Sequence, residues 1–312
     1  MASAYGVLTE VLSIHEGGRK DPDEVVWKAG PAGRSFGAIN ADLLMKRLWI
    51  GDSDTASVDH LTKVAAACRD LPPGLLDGLH ERRAAAARHL SSRSGCSARS
   101  VLLTPLWRVV VGHGEDTVHE TSLTMSPTYG FPVFPGSALK GVAASQARAV
   151  HGDVLPDAVA RLFGTPRPRV DVGAGIEVDA DADIDAGTGP EQGADADAGP
   201  ARGAGAARGV VVVLDALPVS PPEVVVDVLT PHVKPYYDKD SDGKPKEPPA
   251  EYHNPVPVRF LAVEQTPFRA WLIGQPGDLE RLGELLCDGV DDLGLGGKTA
   301  AGYGYCKAVL QP

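Results

Sequence analysis

Cysteine is scarce in this chain. Its four residues (Cys68, Cys96, Cys287 and Cys306) are scattered over 312 positions and form no CxxC pair. That excludes a disulfide framework and the usual zinc patterns, and it fits reduced thiols in a cytoplasmic protein with no metal. Long apolar runs are also missing. Nothing approaches the roughly 18 uninterrupted apolar residues of a membrane span, so no membrane partner is expected. The start, Met1-Ala-Ser-Ala-Tyr-Gly, has no basic region followed by an apolar stretch, so no secretory signal is read. Alternating aspartates occur between Asp171 and Pro200, but without the glycine and closing glutamate of a calcium loop. Phosphate loops of the nucleotide-binding kinds are absent too. A Walker A loop ending in Gly297-Lys298-Thr299 needs glycine at 292, which is Asp292, and a dinucleotide fingerprint from Gly294 needs glycine at 299, which is Thr299.

What the chain does have is glycine, concentrated near its end. Asp292-Leu-Gly-Leu-Gly-Gly-Lys-Thr-Ala-Ala-Gly-Tyr-Gly-Tyr-Cys306 places Gly294, Gly296, Gly297, Gly302 and Gly304 around one cation, Lys298, and one hydroxyl, Thr299. A helical pattern precedes it (Asp278 to Cys287) and a strand pattern follows (Tyr303 to Leu310). A helix that ends in Gly294 as its left-handed cap explains one or two of these glycines, not five. The remainder suit backbone that must accept a close ligand, with exposed N–H groups and Lys298 facing an anion.

The net charge of −11 argues against nucleic acid until its distribution is considered. Nine acids and no Lys or Arg lie between Asp171 and Pro200, so the rest of the chain is close to neutral and can still carry a basic face. The Ala/Asp/Gly-rich segment at about 167–208 has almost no large apolar residues and is read as a disordered acidic insertion. Helical patterns run over Ala38–Trp49, Ser57–Leu71 and Leu75–Leu90, the last carrying Arg82, Arg83, Arg88 and His89. Ser100–Gly112 reads as one long strand with a proline interruption. In Phe134-Pro-Gly-Ser-Ala-Leu-Lys-Gly141, Ser137 is expected to cap a helix over Ala138–Val150. That would put Gly136, Ser137 and Lys140 at a helix start, where free N–H groups favour an anion. A short helix follows at Pro156–Phe163. Gly209–Ala216, Glu223–Leu229, Pro257–Val263 and Phe268–Ile273 read as strands. The order after residue 100 approaches a split βαβ arrangement, an α+β fold with an antiparallel sheet and helices on one face.

Three segments taken together, Phe134–Gly141, the Phe163-Gly164 helix end and the Gly294–Gly304 loop, resemble the RAMP superfamily of CRISPR-associated proteins. Those proteins have modified ferredoxin-like, RRM-like folds with a glycine-rich loop near the C-terminus. Asp227-Val-Leu-Thr-Pro-His-Val-Lys-Pro-Tyr-Tyr237 and Asn254–Val263 look like the single-RAMP capping subunit of the type III-B (Cmr) effector complex. The resemblance implies a RAMP domain over 99–312, interrupted by the acidic insertion, behind an N-terminal helical extension over 1–98. It also implies a non-catalytic, cofactor-free subunit that holds the 3′ part of the guide RNA, caps the RAMP backbone and assists target-RNA binding. Its partners would be guide RNA, target RNA and the other RAMP subunits.

The residues agree with an RNA holder. Gly136, Ser137, Lys140, Gly294, Gly296, Gly297, Lys298, Thr299 and Gly302 supply donors and cations for a single strand. Tyr236, Tyr237, Tyr303 and Tyr305 could stack on bases, although alternation on the last strand would also send Tyr303 and Tyr305 into the core. Two alternatives remain open. One is a metal-independent guide-precursor ribonuclease using His113, His119 or His232 as acid or base; the other is a purely structural assembly subunit.

Overall fold

A computed structural model describes residues 40–47, 54–92, 95–113, 122–164, 208–230, 244, 246, 248 and 257–311. The acidic stretch between Asp171 and Pro200, His119, His232, Tyr236 and Tyr237 lie outside the described residues. Among those described, none of the helices is long and apolar enough to cross a membrane. No group of three or more His, Cys, Asp or Glu there could hold a metal ion.

Three helices come first: α1 (Ala41–Arg47), α2 (Asp54–Arg69) and α3 (Leu75–Ser91). Asn40 starts α1, its Oδ1 accepting from the N–H groups of Asp42 and Leu43 at 2.9 and 3.2 Å, which satisfies two of the orphan donors of a helix start. The expected long strand follows as two pieces, β1 (Ser97–Pro105) and β2 (Arg108–Val109). After them come α4 (Gly136–His151), α5 (Asp157–Phe163), β3 (Val212–Val213), β4 (Leu217–Pro218), β5 (Val224–Leu229), β6 (Val258–Glu264), β7 (Phe268–Gly274), α6 (Pro276–Asp292) and β8 (Cys306–Gln311).

All named strand pairings are antiparallel. The larger sheet runs β3-β7-β1-β8 with β4 also on β7, and the smaller one runs β2-β6-β5. β1 pairs with β7 as far as Leu103↔Phe268, and β2 then pairs with β6 from Arg108↔Glu264. Between these rungs residues 104–107 face only 265–267. The extra residue is a bulge, and it bends the ribbon from one sheet into the other. Gln265 takes a left-handed φ of 47° there and donates its N–H to Trp107 O at 3.1 Å.

Two other segments differ from the pattern reading. Gly209–Ala216 forms only the two-residue β3, because it divides its hydrogen bonds: Leu214 N–H goes to Trp271 O and Ala216 N–H to Phe134 O. Ser137 does not cap α4. Pro135 holds the cap position with φ −57°, and the acceptor comes from across the chain, Asp215 Oδ1 taking the Gly136 N–H at 2.8 Å.

The main core lies between the larger sheet and the α4/α6 layer, where Phe268, Ala270 and Leu272 meet Leu139, Ala143, Leu279, Leu282 and Leu286. Phe134 stacks on Phe268 with ring centroids 3.9 Å apart. Leu61, Val64, Ala65 and Cys68 of α2 join the same core beside Val224, Leu261 and Val263 of the smaller sheet. A helix also covers the other face of the larger sheet. Leu217 is opposite Arg269 on β7, so both point away from Phe268, and Leu217 packs with Leu76 and Leu79 of α3 and with Phe131 and Val133. The sheet surface on that side is therefore roofed.

Candidate nucleic-acid interface

α6 closes as the glycine pattern suggests. Gly294 has φ 79°, and its N–H reaches back to Gly289 O at 3.2 Å, which satisfies a carbonyl at the helix end. The loop beyond is tied down by three backbone bonds of 2.8 Å: Leu295 N–H to Gly304 O, Gly297 N–H to Val110 O, and Gly304 N–H to Arg108 O. It is thus a strap fixed across the start of the smaller sheet, and β8 begins only at Cys306.

The five glycines serve different ends. A Cβ at Gly296 would lie 2.2 Å from Val110 O, and one at Gly304 would lie 2.3 Å from Leu295 O. Both residues also have positive φ (86° and 85°), so the chain's own backbone demands glycine there. Gly302 has φ 92° with nothing within 4 Å of its missing Cβ, and at Gly297 a Cβ would meet only ordinary contacts, the nearest at 3.6 Å. Neither the fold nor a left-handed φ requires glycine at 297.

Lys298 turns the strap, itself left-handed at φ 62°. Its Nζ lies 5.2 Å from the centroid of the buried Phe260 ring, close enough for a cation–π contact. Burial lowers the lysine's pKa. His113 stands edge-on to the same ring at 5.6 Å. Burial first, and the charge of Lys298 second, lower its pKa, and its buried Nδ1 finds no hydrogen-bond partner among the described residues.

Below the strap is a polar network that periodicity did not single out. Arg108 donates from Nη1 to Asp227 Oδ2 at 2.7 Å and from Nε to Glu264 Oε1 at 2.9 Å. Tyr303 donates its hydroxyl to Asp227 Oδ2 at 2.6 Å. Burial, then the Asp227 carboxylate, push the Tyr303 hydroxyl up to about 12. Burial alone would raise the Asp227 carboxyl, but the bonds from Tyr303, Arg108 and Val228 N–H outweigh it and hold the pKa below the usual range. Tyr303 is 4% exposed, so its ring is core and not a stacking platform; Tyr305 is half-buried. Trp107, on the bulge, is 43% exposed and leans on Tyr303 with centroids 4.9 Å apart. The sequence did hold a signal: Arg108 and Asp227 each sit inside an apolar strand run, where a charge needs a partner.

The helix start is more occupied. Gly136 is buried with its N–H taken by Asp215, and a Cβ there would lie 2.2 Å from Val213 O. Lys140 Nζ donates to Val211 O at 2.9 Å, and burial lowers its pKa. Ser137 is exposed. A hydrogen-bonded path joins this start to the strap: Gly297 N–H to Val110 O, Thr124 N–H to Val111 O, and Val133 N–H to Thr124 O.

The chain as a whole is similar to known proteins. The RAMP superfamily matches over residues 101–307, and the chain belongs to that superfamily. It is 29% identical over 222 residues to the CRISPR system Cmr subunit Cmr6 of Pyrococcus furiosus, a match that spans 63% of this chain and 64% of the relative. Among solved structures, a chain of the type III-B Cmr-beta complex bound to cognate target RNA aligns with a TM-score of 0.50 at 18% identity, covering 84% of this chain and 78% of that one. The crystal structure of Cmr6 from Pyrococcus furiosus aligns at 25% identity and a TM-score of 0.36, over 69% of this chain and 100% of that one.

Proposed function

We propose that this chain is a non-catalytic subunit of a type III-B CRISPR ribonucleoprotein that holds the 3′ part of the guide RNA. In this role it caps the RAMP backbone and assists target-RNA binding. Superfamily membership and the Cmr6 relative support the assembly. The observation that carries the RNA contact is Gly297. The fold does not require glycine there, yet the missing side chain opens the strap beside Lys298 and leaves room for a phosphate to reach that cation, the Gly297 N–H itself being taken by Val110 O. Lys298→Ala is expected to weaken guide binding and to make its salt dependence shallower by about 0.7, the slope lost with one single-strand phosphate contact. A slope that does not change removes Lys298 from the interface. Crosslinking in the assembled complex tests the purely structural reading, which wins if no peptide from 134–141 or 294–304 reaches guide RNA.

One observation favours a second reading. His113 is held neutral against the strap beside a cation, a pairing suited to a general base next to a phosphodiester. Incubating the chain with a guide precursor in chelator decides it: specific cleavage that His113→Ala abolishes makes the chain a ribonuclease.

A further inference from the structure

The strap is not the only place where the chain offers cations beside a concave surface. A cleft of about 420 Å³ opens between α3 and the 125–133 loop, lined by Leu79, Arg82, Arg83, Ala86, Tyr129 and Asp215 among others. This volume lies in the range of small-ligand sites and is of the order of one nucleotide. Arg82 is exposed and has no hydrogen-bond or salt-bridge partner among the described residues. Arg83 is half-buried and makes one long bond, Nη1 to Asp215 O at 3.4 Å. Two adjacent arginines thus line the same opening with most of their donors uncommitted. The opposite wall is aromatic: Tyr129 lies parallel to the buried Phe131 ring, centroids 5.6 Å apart and planes 5° from parallel, which holds the tyrosine in one orientation. The floor is apolar, built from Leu79, Val133 and Leu217. The acid in the wall, Asp215, has one oxygen engaged by Gly136 N–H, so the start of α4 partly offsets its charge.

We propose that this cleft binds one nucleotide unit of single-stranded RNA, with a phosphate held by Arg82 and Arg83 and the base or ribose against Tyr129 and the apolar floor. Arginine suits the phosphate because its fork offers paired donors, and an aromatic wall suits any base. α3, with both arginines, lies outside residues 101–307, the span matched by the superfamily, whereas Tyr129, Val133, Asp215 and Leu217 lie within it. The site extends the RNA-holder reading: Asp215 lines the cleft and caps α4, which connects the cleft to the helix start.

The test is binding of the full chain to a fluorescein-labelled single-stranded 20-mer RNA, followed by anisotropy across a salt series. Arg82→Ala with Arg83→Ala is expected to weaken binding and to make the salt slope shallower by about 0.7, the share of the one phosphate that the two arginines hold together. Ala86→Trp keeps both charges but fills the opening, and it is expected to weaken binding as well. A free nucleoside monophosphate is expected to compete only at far higher concentration than the strand, and equal competition would mark a free-nucleotide site instead. Full binding by Ala86→Trp, or an unchanged slope in the double variant, overturns the cleft. If Lys298→Ala still loses affinity in that case, the strap reading stands by itself. Loss of a neighbouring RAMP subunit with RNA binding intact would show the cleft to be a protein contact.

Discussion

At the scale of single residues, glycines that look equivalent in the sequence differ in what they cost to replace. Gly296→Ala forces a Cβ against Val110 O at 2.2 Å on top of a left-handed backbone; it should destabilise by more than about 2 kcal/mol in thermal or denaturant unfolding. Gly302→Ala meets open space and should cost only about 1 kcal/mol from its positive φ. Gly297→Ala should leave the melting temperature almost unchanged while weakening RNA binding, a separation that a merely structural glycine would not give. The Tyr303 hydroxyl gives a pH signature. Its folded pKa of about 12 lies above the ordinary value of 10.0. The stability it contributes is therefore complete below pH 10 and is lost as pH rises through 12. Tyr303→Phe should flatten the fall in melting temperature between pH 10 and 12.

At the scale of elements, periodicity found most of the helices because each buries one apolar stripe, and α6 from Pro276 to Asp292 is the clearest case. It failed on Ser100–Gly112, since a bulge changes partners without changing composition; the break is visible only when β1 and β2 are seen to pair with different strands. It failed at Ser137 because the residue that satisfies the helix start, Asp215, is far away in sequence. Of the candidate site, the strap was legible from glycine density, whereas the Arg108–Asp227–Tyr303 network was not, because its members come from three separate segments. Arg108→Ala should lower stability by about 1–3 kcal/mol, since it leaves the largely buried Asp227 and Glu264 carboxylates short of a partner while both remain partly solvated. The same change should loosen the strap, and faster amide exchange at Gly304 would report it.

At the scale of the whole molecule, the described chain breaks off at Gly164 and resumes beside it at Arg208. Gly164 and Arg208 form an isolated bridge, and Val210 N–H bonds to Arg161 O at 3.0 Å. Deleting 171–200 should therefore leave the melting temperature and assembly unchanged, and a large fall would show that the segment is part of the fold. The charge of the whole chain misleads because that one segment carries nine of its acids. The roof that α3 places over the larger sheet was invisible to pattern reading, because Leu76 and Leu79 show a buried stripe but not which surface it meets. The bulge between the sheets has a further effect. Chain length there, more than side-chain identity, decides which way the next strand looks. Removing Leu106 would leave three residues opposite three between Leu103↔Phe268 and Arg108↔Glu264, which would keep that pairing but take out the bend and draw the two sheets toward one continuous plane.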